Sequence, residues 1–310
     1  MSGPVADADV APVVERAEAA ERTLEITESR LAQVGSVQVR RALPRRQRRT
    51  VGAWCFVDHM GPMTVSDDTG MDIGPHPHMG LQTVTWLLAG EIEHHDSLGS
   101  EQVIRPGQLN LMSAGFGIAH AEERTGHYRG EMEGVQLWVA QPEATRNGAG
   151  EFEHHPELPR VDFGGGTATV LVGELEEAVS PARRDTDHVG IELDLLAGVE
   201  LPLRPTYEYA LVVLDGLMML GEQAISPGHL AYLGEGRDEI GLSARGGRSR
   251  ALLLGGVPFD EPLLMWWNFV GRSREEFDAA YRDWAEDGSR FGAVRSAVPR
   301  VIGSPPMWSR

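Results

Sequence analysis

Lysine is absent from this 310-residue chain: all 28 of its basic residues are arginine. No single site demands that, and we read it as codon bias in a GC-rich genome. Positive charge is scarce as well, because 46 acidic residues leave a net charge of −18. That balance excludes a general nucleic-acid binder, since phosphate contacts need a cationic surface. Cysteine occurs once, as Cys55, which excludes an intrachain disulfide framework. Its setting, VGAWCFVDHM, marks it as a small buried hydrophobe. No basic-then-apolar leader opens the chain, and no apolar run approaches the roughly eighteen residues of a membrane span. A cytoplasmic protein without membrane contact is expected. Aromatics are few at 6%, whereas glycine (37) and proline (19) are plentiful, as suits short strands joined by tight turns.

Residues 1–24 are rich in Ala and Glu and read as a frayed helix or flexible tail. Six arginines follow within Arg40–Arg49. They are either a surface for an anionic partner or an edge strand and turn whose guanidinium groups pair with the protein's own carboxylates, and the acidic composition favours the second. From Gly52 onward short apolar runs alternate with Gly, Pro, Asp and Asn. Val84, Trp86 and Leu88 share one strand face before a turn at Gly90, and Pro106-Gly107 feeds a strand through Leu109, Leu111 and Ser113. The spacing suits an all-β barrel or sandwich. The second half repeats the rhythm, with Gly216 matching Gly90 and Pro227-Gly228 matching Pro106-Gly107, so an internal duplication is expected. We place one domain at 25–150, a second at 151–295 and a C-terminal tail at 296–310. Near the end Ser273 and Glu276 form a capping box. Phe277, Ala280, Tyr281 and Trp284 then define one helical face, and Gly288 is the expected stop.

Two ligand pairs stand out, His76-Pro77-His78 and His120-Ala121-Glu122. On a strand, residues i and i+2 point the same way, so two such strands aim three imidazoles and one carboxylate at one point. That set suits Fe(II), Mn(II), Ni(II), Co(II) or Zn(II), and the lack of thiolates argues against a closed structural zinc site. A metal accepting five or six ligands keeps room for water, O2 or a substrate oxygen. Seven of the eleven histidines lie between His59 and His127. Among them His94, His95 and His127 read as supporting or surface residues. The second repeat aligns Pro202 and Arg204 with His76 and His78, so no metal is expected there.

The run from Gly74 to Glu123, with GAWCFVDHMGP upstream and LLLGGVPFDEPLLMWWNFVGRSREEF downstream, resembles the pirin family of the cupin superfamily over about residues 30–295. The resemblance implies two tandem cupin (double-stranded β-helix, jelly-roll) barrels with a few peripheral helices, metal being confined to the first. It also implies that His76, His78, His120 and Glu122 are the ligands, all four being present. Two positions depart from the pattern. Gln82 stands where cupins in general carry a glutamate, and Phe116 replaces a polar or basic residue, which would make the pocket mouth more apolar. The activity implied is an Fe(II)-dependent, quercetinase-type dioxygenation of a flavonol-like substrate with O2. Glu122 would accept the hydroxyl proton, and ring cleavage would release carbon monoxide. The alternative is a redox-sensing metal module that binds a protein partner without turnover.

Overall fold

The computed structural model describes residues 23–35 and 37–309; the tail expected over 1–24 lies, apart from Thr23 and Leu24, outside them. The first barrel closes a seven-stranded sheet, centred on Leu81–Ala89, Gly130–Ala140 and Trp54–Val65, over a four-stranded sheet. That smaller sheet runs Ile73–His78, Ile118–Glu123, Ile92–Asp96, Glu101–Ile104. The second barrel repeats both sheets in the same order, its smaller one running Gly198–Pro202, Glu239–Ala244, Met218–Leu220, Gln223–Ile225. This is the duplicated all-β cupin architecture that the resemblance implied. Edge strands are exchanged between the halves. Glu25–Glu28 pairs with His229–Gly234 of the second barrel, and Glu151–His155 with Leu109–Ser113 of the first. A division at residue 150 therefore separates the barrels but not their sheets.

The pleat explains how one strand serves two cores. On Leu81–Ala89, Val84 and Trp86 pack between the barrels with Val212, Leu230, Leu252 and Leu254, whereas Leu87 packs inside the first. Trp54 anchors the seam, its indole N–H donating to the carbonyls of Val189 at 3.0 Å and Gly255 at 3.3 Å.

Strand register corrects the alignment of the repeats. Glu122 lies opposite His94, four residues after Gly90, and Leu242 lies opposite Leu220, four after Gly216. His120 faces His76 as Ile240 faces Leu201. The positions equivalent to His76, His78, His120 and Glu122 are thus Leu201, Leu203, Ile240 and Leu242, not Pro202 and Arg204. The one-residue shift turns each position to the opposite face. All four side chains belong to the apolar core of the second barrel and offer no donor atom.

Two smaller expectations also change. The strand Val37–Leu43, carrying Arg40 and Arg41, is not an edge: it lies between Arg30–Val34 and Trp54–Val65. Two of the cluster's six arginines pair with the chain's own carboxylates. Arg41 binds Asp58 through two hydrogen bonds of 2.7 and 2.6 Å, and Arg48 reaches Glu25 and the ring of Tyr232. The helix Arg274–Ala285 starts at Ser273 as expected, but its left-handed terminal residue is Asp287 (φ 61°) rather than Gly288. Aspartate tolerates that conformation, and the Gly288 N–H then closes on the Asp283 carbonyl at 2.7 Å. Among the described residues no helix is long and apolar enough to cross a membrane.

Candidate metal centre

His76 and His120 sit directly opposite each other where Ile73–His78 pairs with Ile118–Glu123. Together with His78, two residues along the same strand, they form a buried group whose donor atoms all lie within 4.8 Å of one another. Their tautomers follow from the hydrogen bonds around them. The Nδ1–H of His76 donates to the Gly74 carbonyl at 2.9 Å, and that of His78 to the Asn268 carbonyl at 3.0 Å. His120 Nδ1 meets His94 Nδ1 at 3.4 Å, and His94 Nε2 meets Asp96 Oδ2 at 3.2 Å. Because the His94 Nε2–H donates to the Asp96 carboxylate, His94 Nδ1 is the acceptor and His120 Nδ1–H the donor. All three Nε2 lone pairs are left for the interior.

That arrangement fits a cation. The Nε2 atoms of His78 and His120 are 3.1 Å apart. Two nitrogens bound to one ion at about 2.1 Å stand about 3 Å apart at a right angle and about 3.4 Å apart at the tetrahedral angle. A separation of 3.1 Å therefore suits two imidazoles on one ion. Burial pushes His76 down to about 4, and burial with the neighbouring imidazoles holds His78 and His120 well below the ordinary value. The rings stay neutral and able to ligate.

Glu122 lines the same cavity and is buried, but its carboxylate stands outside the triad of donor atoms. The ladder to the His76 strand shifts register between His120 and Glu122. Its Oε1 accepts from the Thr85 hydroxyl at 3.3 Å, and the same hydroxyl lies 2.9 Å from Gln136 Oε1. Burial raises the Glu122 carboxyl to about 7, opposed by the Thr85 hydrogen bond. The cavity holds about 330 Å3 and has Phe56, Trp138, Trp267, Val298 and Val301 on its walls. Phe56 and Trp138 stack at 4.0 Å, and the His78 ring meets Trp138 edge-on at 5.2 Å. Volume alone does not find this site, since a groove of about 760 Å3 beside Gln38 and Met63 contains none of the histidines.

Several supporting residues escaped the sequence. Thr85, Gln136, Asp96 and Asn268 carry no motif. Asn268 follows Trp267, whose φ of 52° is rare for a bulky residue; the strained turn presents the Asn268 carbonyl to His78. His94 proves to be the support of His120, stacked at 4.3 Å on Phe152. His95 is only half-buried and faces Glu93, while His127 is exposed beside Glu91. Gln82 is buried against Ser113 on the face between the barrels, so its position is turned away from the histidines. Phe116 is half-exposed outside the cavity, where the Arg290 guanidinium covers it at 4.0 Å; it does not shape the pocket mouth.

Two barrels of one topology, with a buried imidazole triad in the first and aliphatic side chains at the same positions in the second, define a bicupin with one candidate metal centre among the described residues. The chain belongs to the pirin family. Residues 36–139 match the family's Pirin profile, and residues 189–292 match its Pirin C-terminal cupin domain. A Pseudomonas aeruginosa protein named "Putative quercetin 2,3-dioxygenase" is 44% identical over 93% of this chain and 91% of its own length. A Caulobacter vibrioides pirin-like protein is 34% identical over 84% of this chain and 92% of its own. The crystal structure of quercetin 2,3-dioxygenase from Acinetobacter baumannii superposes with a TM-score of 0.87 at 41% identity, covering 91% of this chain and 95% of that one.

Proposed function

We propose that this chain is an Fe(II)-dependent dioxygenase of the quercetinase type, with His76, His78, His120 and Glu122 as ligands. The observation that carries the reading is the set of three Nε2 lone pairs, with every Nδ1 proton committed elsewhere, at the wall of a partly aromatic cavity. The naming of similar proteins as quercetin dioxygenases supports it. A bound ion would supply a Lewis acid that holds a substrate oxygen anion and O2 together. Phe56 and Trp138 give the cavity an aromatic wall suited to a ring-bearing substrate such as a flavonol. Glu122 accepts the proton of the flavonol hydroxyl, and the Thr85 hydroxyl holds its carboxylate in place. We place the protein in the cytoplasm, where its single, buried thiol needs no oxidising environment.

A surface for a protein partner has less support, because Arg41 and Arg48 of the arginine cluster are engaged within the chain. The test is anaerobic loading with Fe(II) followed by quercetin turnover in the wild type and Glu122→Gln. Iron-dependent turnover that falls about a hundredfold or more in the variant is expected. An iron-loaded protein without turnover would instead favour the redox module.

A further inference from the structure

The last described segment returns to the first barrel. Its Val298, Pro299 and Val301 line the cavity that contains the histidines. The segment is tied down at several points. The Val301 N–H donates to the Pro75 carbonyl, between Gly74 and the first histidine, at 2.9 Å. The Val301 carbonyl accepts from the Trp284 indole at 2.8 Å, and the Gly303 carbonyl from the Tyr281 hydroxyl at 3.0 Å. Ser296 bonds Glu123, and Arg300 bonds Asp287 and the Trp284 carbonyl. Gly74 is shaped to receive it, since a Cβ there would lie 2.1 Å from the Pro299 carbonyl oxygen.

We propose that residues 296–303 form the wall that sets substrate specificity in this site, with Val298 and Val301 as the determining side chains; the proposal rests on the dioxygenase reading of the cavity. Several of the other walls have separate duties. The imidazoles and Glu122 are committed to the centre, and Phe56 and Trp138 belong to a barrel core cluster. Val298 and Val301 are held through main-chain hydrogen bonds, and neither side chain belongs to a buried core cluster. Their size can change without rebuilding a barrel, so an apolar planar body is selected here by shape. Replacing these residues alters which ring systems fit and leaves the donor set intact.

The experiment is equilibrium binding, by quenching of tryptophan fluorescence under anaerobic conditions, to iron-loaded wild type, Val298→Ala, Val301→Ala and Val298→Trp. The probes are quercetin and the smaller planar 2-naphthol, and bound iron is counted in each variant. We expect unchanged iron content. Quercetin should bind about tenfold more weakly to each alanine variant, and more than tenfold more weakly to Val298→Trp with 2-naphthol much less affected. Quercetin and 2-naphthol affinities within about twofold of wild type in all three variants would overturn the proposal. Loss of iron in the alanine variants, which add no bulk to the fold, would also overturn it. A wild type that binds 2-naphthol but not quercetin, with 2-naphthol weakened by the alanine variants, would sink the flavonol reading and keep the wall. A wild type that binds neither probe would remove both.

Discussion

Three imidazole lone pairs turned to one buried point repel one another unless a cation or a proton lies among them. Burial makes the proton costly, so the residues themselves ask for a metal. The spacing of His76, His78 and His120 in the chain was enough to bring out the imidazole triad, because the two-residue strand period fixes which side chains share a face; Glu122 lines the same cavity, but the register shift after His120 leaves its carboxylate apart from the three nitrogens. Their support was not legible. Thr85, Asp96 and Asn268 reach the centre across neighbouring strands or from the far end of the chain, and no local pattern records such contacts. His94 offers a clean test of that support. Changing His94→Phe keeps the stack on Phe152 but removes the acceptor for His120, and should lower metal affinity about 10–100-fold, read by competition with a chelator. At the seam, burial pushes His188 down to about 4, and its Nε2 has no partner. In the unfolded chain it titrates near 6.5. Its contribution to stability is therefore complete above about pH 6.5 and is lost as pH falls toward 4. Urea unfolding at pH 7 and 4.5 should differ by roughly 2–3 kcal/mol more in wild type than in His188→Phe; equal pH dependence would show that His188 is not buried neutral.

Strands and turns were readable because glycine, proline and alternation punctuate them, and the Ser273 cap announced its helix. The elements that close the site were visible only as family resemblance. The hairpin of Leu264–Trp266 and Phe269–Gly271 docks on the end of the His78 strand, where the Val270 N–H donates to the Met79 carbonyl at 3.1 Å. Gly80, at φ 69°, permits that approach, and a Cβ there would lie 2.2 Å from the Val270 carbonyl oxygen. Gly80→Ala should thus cost about 2 kcal/mol or more in stability. It should also weaken metal binding by withdrawing the Asn268 carbonyl from His78. A chemical melt and a metal titration of the same variant check both, and a variant with wild-type metal affinity would remove the hairpin from the account.

At the scale of the molecule, duplication supplied two barrels and sequence divergence separated their roles. One kept nitrogen and oxygen donors, while the other took Leu201, Leu203, Ile240 and Leu242 into its core. The repeat was legible from Gly90 and Gly216, but the equivalent residues were not, because only strand register decides between neighbours one residue apart. Trp54 fixes the barrels together, so Trp54→Ala should cost about 3–5 kcal/mol in urea unfolding; a loss well under 1 kcal/mol would mean that the seam adds little. The proposed dioxygenase chemistry of the first barrel is tested most directly by loading the protein anaerobically with Fe(II), adding quercetin and O2, and measuring carbon monoxide released against O2 consumed. Equimolar release and consumption, absent from metal-free protein, is the expected result. Oxygen uptake without carbon monoxide, or equal turnover without metal, would contradict the account.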